Sequence, residues 1–466
     1  MTEPTPVVLK FGGAALEHPE RVLARLRRLR DEGRYAVAVI SARAGITDRL
    51  QRVSGASPTA AQRDALLRRL ERAHPGLPRS GREELQRLAR RLSVRPTSGA
   101  EATQRAHDIL ASGERLAVRW LARFLTERGV PAEPLDADAL GLRAGARPSR
   151  GELDVPRSRA EVLRGLRRVR RAGRIPLVTG YIARAARGRV RTLGRGGSDC
   201  SAVALAAIVG AREVELVKDQ HPVMTADPQV VRGAQPVPEL EYADAEALSQ
   251  TGARVLHPGA VHLARTHRIG IITSALRAPG RTSRVGAGSR GPVRGVALRS
   301  GMTRFEVRGV GHARRRRVLV ALVADLRRSG LELGPVLQTR SGAALVLPSA
   351  EGRRLRQLLR SGDRVPGARL GPPRAVALIT LVGVPRAELM PVLRASGWDI
   401  LGLSVTARTI TVAVPARQGT RALRVLHRRV ILSAVRRPEP VRGEAIPRAT
   451  VVPGGPLVGE ADAPAA

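Results

Sequence analysis

Short, wholly apolar runs alternate with stretches of helical periodicity through the first part of this chain. Residues 7–9, 35–40, 175–178, 190–193 and 214–217 read as strands with little or no polar face. A strand without a polar face must be covered on both sides. The alternation therefore predicts an α/β unit: a mainly parallel central sheet between two helix layers. Ligands of such sheets bind at the carboxyl ends of the strands. Two glycine-rich turns, at Gly12 and Gly194, follow strands and so fall at such ends.

The helical periodicity is clearest at 19–30, where Val22, Leu23, Leu26 and Leu29 share a face. Residues 59–128 read as a long arginine-laced helical region broken at Pro75, Gly76, Pro78 and Pro96, with a helix start placed at Arg115, after Ser112-Gly113-Glu114. A change of character comes at 277–294, rich in Gly, Pro, Ser and Arg. Beyond it, 303–307, 318–328, 331–337 and 343–347 form a βαββ series. Residues 375–382, 387–395, 401–405 and 409–414 repeat it. The repetition predicts two small ferredoxin-like modules in tandem. The tail at 437–466 is rich in Pro, Gly and Ala, and is expected to be disordered or loosely attached.

At 466 residues the chain exceeds one ordinary core, so several domains are expected. Its formal charge is +41, but the arginines are spread along the whole length and aromatics make up only 2%. Base-stacking platforms are therefore scarce. The charge reads as solvated faces, with no specific nucleic-acid site. The single cysteine, Cys200, excludes an internal disulfide framework and points to a reducing compartment. No apolar stretch approaches the roughly 20 residues of a membrane helix, and the start lacks a basic region followed by an apolar one. A soluble, cytoplasmic protein without membrane contact is expected.

Among 81 lysines and arginines the only lysines are Lys10 and Lys218. Each closes an apolar run. Lys10 opens Lys10-Phe11-Gly12-Gly13, where two glycines let backbone N–H groups approach an anion and the ammonium supplies a point charge. Leu193-Gly194-Arg195-Gly196-Gly197-Ser198-Asp199 leads into a small-residue segment, the outline of an anion-binding helix start. It is neither a Walker A loop nor a dinucleotide fingerprint. Arg195 has the fork that grips carboxylates. Asp199 lies in the first helical turn, where by itself such a residue is more often a helix cap than a catalytic group. Lys218-Asp219-Gln220-His221-Pro222-Val223-Met224-Thr225-Ala226-Asp227-Pro228 is a loop with two aspartates. His257, His262 and His267 recur every five residues, a spacing that spreads them around a helix and makes a poor metal site. No metal-ligand set is assigned.

These clusters, in this order, resemble those of the aspartokinases of the amino-acid kinase family. Ser41-Ala42 through Gly45-Ile46-Thr47-Asp48 and Val255-Leu256-His257-Pro258 extend the likeness, and the tandem modules resemble a regulatory ACT pair. The resemblance covers nearly all of 7–435. It implies an αβα sandwich kinase domain at 5–285, then βαββαβ ACT modules at 298–365 and 373–435. Carried over by position, Lys10 and Asp199 would be catalytic, Asp199 ordering Lys10. Lys10, Gly12, Gly13, Lys218, Asp219, Thr225, Asp227 and Arg254 would hold ATP with Mg²⁺. Ser41, Thr47, Glu114, Arg195 and Ser198 would hold L-aspartate, with Glu114 on its ammonium and Arg195 on its α-carboxylate.

The implied reaction moves the γ-phosphoryl group of ATP to the β-carboxylate, giving 4-phospho-L-aspartate, the first step of lysine, threonine and methionine biosynthesis. A homo-oligomer joined through the ACT pair, with threonine or lysine as effector, is implied as well. The chain departs from the family pattern at Ala14, Ala15, Pro222, Met224 and Gln229, and carries Arg254 where the pattern has lysine. Lys218 stands where the pattern has threonine, and is expected to make up for the cation missing at Gln229. The departures keep a second reading open: a degenerate kinase that binds amino acids as a regulatory protein. A related kinase acting on another carboxylate, such as glutamate, is a third.

Overall fold

The structure is a computed structural model. It describes residues 6–435 apart from 56, 147–150, 219–220, 251–255, 278–279, 289–293, 309–311, 341 and 361–368. The first ten strands are β1 Val7–Phe11, β2 Ala36–Ile40, β3 Ala132–Leu135, β4 Ile175–Thr179, β5 Ile182–Arg184, β6 Val190–Thr192, β7 Glu213–Lys218, β8 Glu239–Glu241, β9 Gly270–Ala275 and β10 Thr282–Gly286. Eight of them form one sheet in the order β3-β4-β2-β1-β7-β9-β10-β8. Every pairing in it is parallel except β9 with β10. Of the runs expected to be buried on both faces, β2 and β4 are buried throughout, whereas β7 keeps Glu215 partly exposed.

Alternation along β1 sends its residues into two cores. Val8 joins the helices Val155–Arg171, Gly197–Val209 and Pro258–His267 on one face. Leu9 and Phe11 join the helices Pro19–Asp31, Ile46–Ser54, Arg79–Ser93 and Gly99–Glu127 on the other. Lys10, two residues on from Val8, must point toward the Gly197–Val209 side.

Two local expectations give way. Val190–Thr192 does not enter the main sheet; it pairs only with β5, in an antiparallel hairpin. Ser112-Gly113-Glu114 is not a helix start but the middle of the 29-residue helix Gly99–Glu127. Gly113 suggested a break, yet its missing side chain serves packing: a Cβ there would meet Ala42 Cβ at 3.0 Å and Leu50 Cδ1 at 3.2 Å. The breaks expected at Pro75–Pro78 and Pro96 do separate the helices Ala60–Ala73, Arg79–Ser93 and Gly99–Glu127. Thr59 starts the first of these with a reciprocal cap to Gln62.

The later region holds β11 Gly295–Arg308, β12 Leu337–Thr339, β13 Gly342–Pro348, β14 Arg369–Leu370, β15 Arg374–Val382, β16 Gly402–Val405 and β17 Thr409–Pro415. They form one sheet in the order β13-β12-β16-β17-β15-β11-β14, and an added β13–β11 pairing closes it on itself. Met302, Leu337, Ala344, Val346, Val376, Leu378 and Ala413 form a core of their own, apart from the helix-covered cores on alternate residues. The expected modules share a strand: residues 295–304 of β11 pair with β15, while 302–307 pair with β13. The arrangement is consistent with a pair of ACT modules in which the boundary drawn at 298 cuts through this common strand. The tail at 437–466 lies outside the described residues.

The two halves are packed together around the loop after β7. Ala226 and Val231 of that loop enter the core formed by Ile379, Leu381, Leu423 and Leu426. The Thr225 hydroxyl accepts from the Gln235 amide at 2.9 Å and pairs with Nε2 of buried His427 at 2.9 Å. Thr225→Val would leave Nε2 of buried His427 unsatisfied and free the Gln235 amide, at a cost of about 1–3 kcal/mol. The expected result is a thermal midpoint lowered by a few degrees; an unchanged midpoint would show that this contact does not hold the halves together.

Candidate active site

Lys10 and Lys218 come together because β1 and β7 are adjacent and parallel. Lys10 lies opposite Leu216, and Phe11 opposite Val217. Continued by one residue, the register sets Lys218 across from Gly12, on the sheet face that Lys10 shares. Lys10 Nζ lies 2.7 Å from Asp199 Oδ1, and Lys218 Nζ lies 3.4 Å from Asp199 Oδ2. Lys10 and Asp199 are 9% and 5% exposed. Burial alone would raise the Asp199 carboxyl, but the two ammonium groups outweigh it and hold it well below the usual carboxylate range. Lys218 is pushed below the ordinary lysine value by burial and by Lys10, with Asp199 opposing.

Asp199 sits in the first turn of the helix Gly197–Val209, whose N-terminus adds positive potential. The turn leading to it needs glycine. Gly196 has φ +68°, and a Cβ there would come 2.1 Å from Cγ of His257. His257 is itself fixed as the cap of the helix Pro258–His267, its Nδ1 accepting from the Gly259 amide at 3.2 Å. The Leu256-His257-Pro258 stretch thus braces the turn, a role that histidine spacing did not suggest. Gly13 is equally constrained, because a Cβ would lie 2.6 Å from the Ala42 carbonyl oxygen. The β1 and β2 loops touch backbone to backbone there, and Ser41 donates its amide to the Phe11 carbonyl at 3.2 Å.

Across this junction lies Glu114, 2% exposed. Its Oε1 accepts from the Ala42 amide at 3.3 Å, and its Oε2 is buried with no hydrogen-bond partner among the described residues. Burial raises its carboxyl to about 8, against smaller opposing effects of the Ala42 amide, Arg115 and Lys10. An unpaired buried carboxyl is costly, and a cationic ligand would relieve it. Ser198 is buried beside Gly180, where a Cβ would come 2.6 Å from its Oγ. Arg195 stands exposed at the turn, with no ion-pair partner among the described residues. Thr47 lies half-buried in the first turn of the helix Ile46–Ser54. Arg43 pins the intervening loop: it lies 4.6 Å above the Trp120 ring, pairs with Glu17 at 2.9 Å and donates to the Ala73 carbonyl.

Tyr181 is the residue that the sequence did not reveal. It holds φ +67°, a costly conformation for a tyrosine, and its ring lies 3.1 Å from where a Cβ of Gly197 would be. Burial raises its phenol, with the Thr192 side chain opposing and Glu114 adding to the rise. No sequence signal marks a strained tyrosine.

Some expected residues do not join this group. The Thr225 hydroxyl is taken by His427 and Gln235. Asp227 accepts from the Gln229 amide at 2.9 Å in its own turn. Lys218 is engaged by Asp199, so it does not stand in for a cation at Gln229. Asp219 and Arg254 lie outside the described residues. No group of three His, Cys, Asp or Glu side chains that could hold a metal occurs among the described residues. Cys200 is fully buried and its thiol is pushed up to about 12 by burial, so it is packing.

The model of the amino acid kinase family matches residues 5–273. The chain belongs to that family. It is 27% identical over 438 residues to an aspartokinase of Geobacillus stearothermophilus, covering 90% of this chain and 96% of the relative. Aspartokinase III of E. coli, solved with aspartate and ADP in its R-state, superposes with a TM-score of 0.75 at 24% identity, over 91% of this chain and 99% of that one. The same E. coli protein solved with lysine and aspartate in its T-state superposes with a TM-score of 0.69 at 24% identity, with the same coverage. The shared fold extends through the second, closed sheet.

The raised Glu114 carboxyl has a consequence for stability. The folded chain holds a proton up to about pH 8 that an unfolded chain, with its ordinary value of 4.5, has released. The stability this contributes is complete below pH 4.5 and is lost as pH rises toward 8. Glu114→Gln removes it, so thermal midpoints of the variant are expected to fall less steeply than those of the parent across that range. Parallel curves would show that Glu114 is ionised in the ligand-free protein.

Proposed function

We propose that this chain is an ATP-dependent aspartate kinase. One observation carries the reading: the buried Lys10–Asp199 pair at the carboxyl end of β1 lies beside Glu114, whose inner oxygen lacks a partner. The first fits a phosphate and the second an ammonium. The likeness to named aspartokinases along nine-tenths of the chain supports it.

In this reading Glu114 receives the α-ammonium of L-aspartate, and exposed Arg195 its α-carboxylate. Ser41, Thr47 and Ser198 line the space between. The β-carboxylate is a nucleophile at neutral pH, so no strong base is needed. One of its oxygens forms a bond to the γ-phosphorus as the bond to the β–γ bridging oxygen breaks, and ADP leaves with that electron pair. Lys10 meets the charge on the transferred group, while Gly12 and Gly13 bring backbone donors close to it. Asp199 keeps Lys10 in place. Mg²⁺ would enter with the nucleotide and offset its phosphate charge; the resemblance would put Asp219 on that side of the site, whereas Asp227, turned to the Gln229 amide, is not assigned there. Catalysis rests on positioning and electrostatics. The product would enter lysine, threonine and methionine biosynthesis.

A regulatory role for the second half belongs to the same proposal. A groove of about 1060 Å³ lies beside the helix His312–Arg328, lined by Leu319, Val320, Val323, Val336 and Val405. Val320 and Val405 are 65% and 50% exposed, which suits a surface covered by a second copy of the chain with lysine or threonine bound there.

The decisive assay traps the acyl phosphate with hydroxylamine, using ATP, Mg²⁺ and aspartate, with and without lysine or threonine. Turnover on aspartate is expected. Glu114→Gln should raise the KM for aspartate about 10-fold or more, the scale of a lost charged hydrogen bond. Asp199→Asn should lower kcat about 10²–10³-fold. Amino-acid binding without turnover would favour the non-catalytic regulator instead, the reading to which Ala14, Ala15, Pro222, Met224 and Gln229 point.

A further inference from the structure

The two lysines share one carboxylate. Asp199 can balance only one of Lys10 and Lys218, and the helix N-terminus behind it adds to the positive side. Among the described residues, the other charged groups around them are few. Glu114 faces Lys10 from the helix Gly99–Glu127, but its raised carboxyl leaves it largely neutral near pH 7. His257 faces Asp199 and Lys218, and burial lowers its basicity. Counted over the described residues, the pocket therefore holds one cation more than its anions balance before any ligand binds. Burying such a charge is unfavourable unless an anion completes it. Lys218 is not sealed in as a structural counter-ion would be: its side chain is 23% exposed, against 11% for Lys10.

Position also matters. The sheet register sets Lys218 beside Gly12, and the site of a Gly12 Cβ is 3.6 Å from Lys10 Nζ and 4.0 Å from the Val217 carbonyl oxygen. Lys218 thus flanks the same glycine turn as Lys10, from the neighbouring strand. Directly after that turn this chain carries Ala14 and Ala15, which offer no hydroxyl to a phosphate.

We propose that Lys218 is a second catalytic cation, held by Asp199 beside Lys10 so that both ammonium groups meet oxygens of the transferred phosphoryl group. This rests on the phosphotransfer reading and assigns Lys218 to the γ-phosphoryl end of the nucleotide. The electron count of the transfer is unchanged. Lys218 keeps its protons and only offsets charge as the bond to the β–γ bridging oxygen breaks.

The test compares the parent with Lys218→Thr and with Lys218→Gln, a neutral side chain of similar reach that can still donate to Asp199. Calorimetric binding of ADP and of its γ-extended analogue adenylyl imidodiphosphate is measured for each. Affinity for the analogue is expected to fall about 10-fold or more, as for one lost charged contact, with ADP affinity within about 2-fold. Lys218→Arg should restore much of the preference. In the hydroxamate assay the neutral variants should lose about 10²-fold in kcat, with the KM for aspartate nearly unchanged. Equal losses for ADP and the analogue, or none, would overturn the proposal and leave Lys218 as a counter-charge for Asp199. If Lys218→Thr fails to fold, Lys218→Gln decides the matter alone. A parent that binds both nucleotides but never phosphorylates aspartate would defeat the aspartate kinase reading, while the binding comparison would still judge Lys218.

Discussion

The buried ion pair between Lys10 and Asp199 is the constraint around which the site is arranged. It joins the end of the central strand to the start of the helix that packs on it, at 2.7 Å and almost out of solvent. Buried charge is stable only when its partners are held in place. Here the holding is done by groups that take no part in charge at all. Gly196 can turn only because it lacks a Cβ, and His257 fills the space against it. Gly13 lets the β1 and β2 loops meet backbone to backbone. The small residues of Gly197–Val209 let that helix lie close on the sheet.

Glu114 shows the opposite strategy. It is held not by a counter-ion but by one backbone amide, inside a 29-residue helix that cannot easily move. Its second oxygen has no partner among the described residues, a demand that a cationic ligand would meet. Arg43, fixed by Trp120, Glu17 and the Ala73 carbonyl, keeps the neighbouring loop in register with it. A carboxylate that is costly in the empty protein, and satisfied in the loaded one, is a plain way to favour an amino acid over a simple acid.

The halves of the molecule are linked at two places that bear on this site. The loop after β7, whose strand ends in Lys218, is anchored through Thr225 and Val231 in the core around Leu423 and Leu426. Arg408, in the turn between β16 and β17, pairs with Asp244 at 2.7 Å on the helix Tyr242–Gln250. That helix packs against the helix Pro258–His267. Val405, at the start of the same turn, lines the groove beside the helix His312–Arg328.

Much of this was legible from residue order. Apolar runs buried on both faces, separated by amphipathic helices, admit little besides a parallel sheet, and the glycine turns after strands mark its ligand edge. The spared lysines pointed to the chemistry, because ammonium groups meeting a phosphate are not freely replaced by guanidinium. What residue order could not show is which strands are neighbours. Only the β1–β7 register brings Lys218 onto Asp199, 19 residues earlier in the chain. Only the packing of Gly113 against Ala42 and Leu50 puts Glu114 inside a helix instead of at its start. The strain at Tyr181, the bracing by His257 and the strand shared by the two later modules are likewise long-range results. Local propensity sets periods of two and of 3.6 residues; it carries no record of what lies across a sheet.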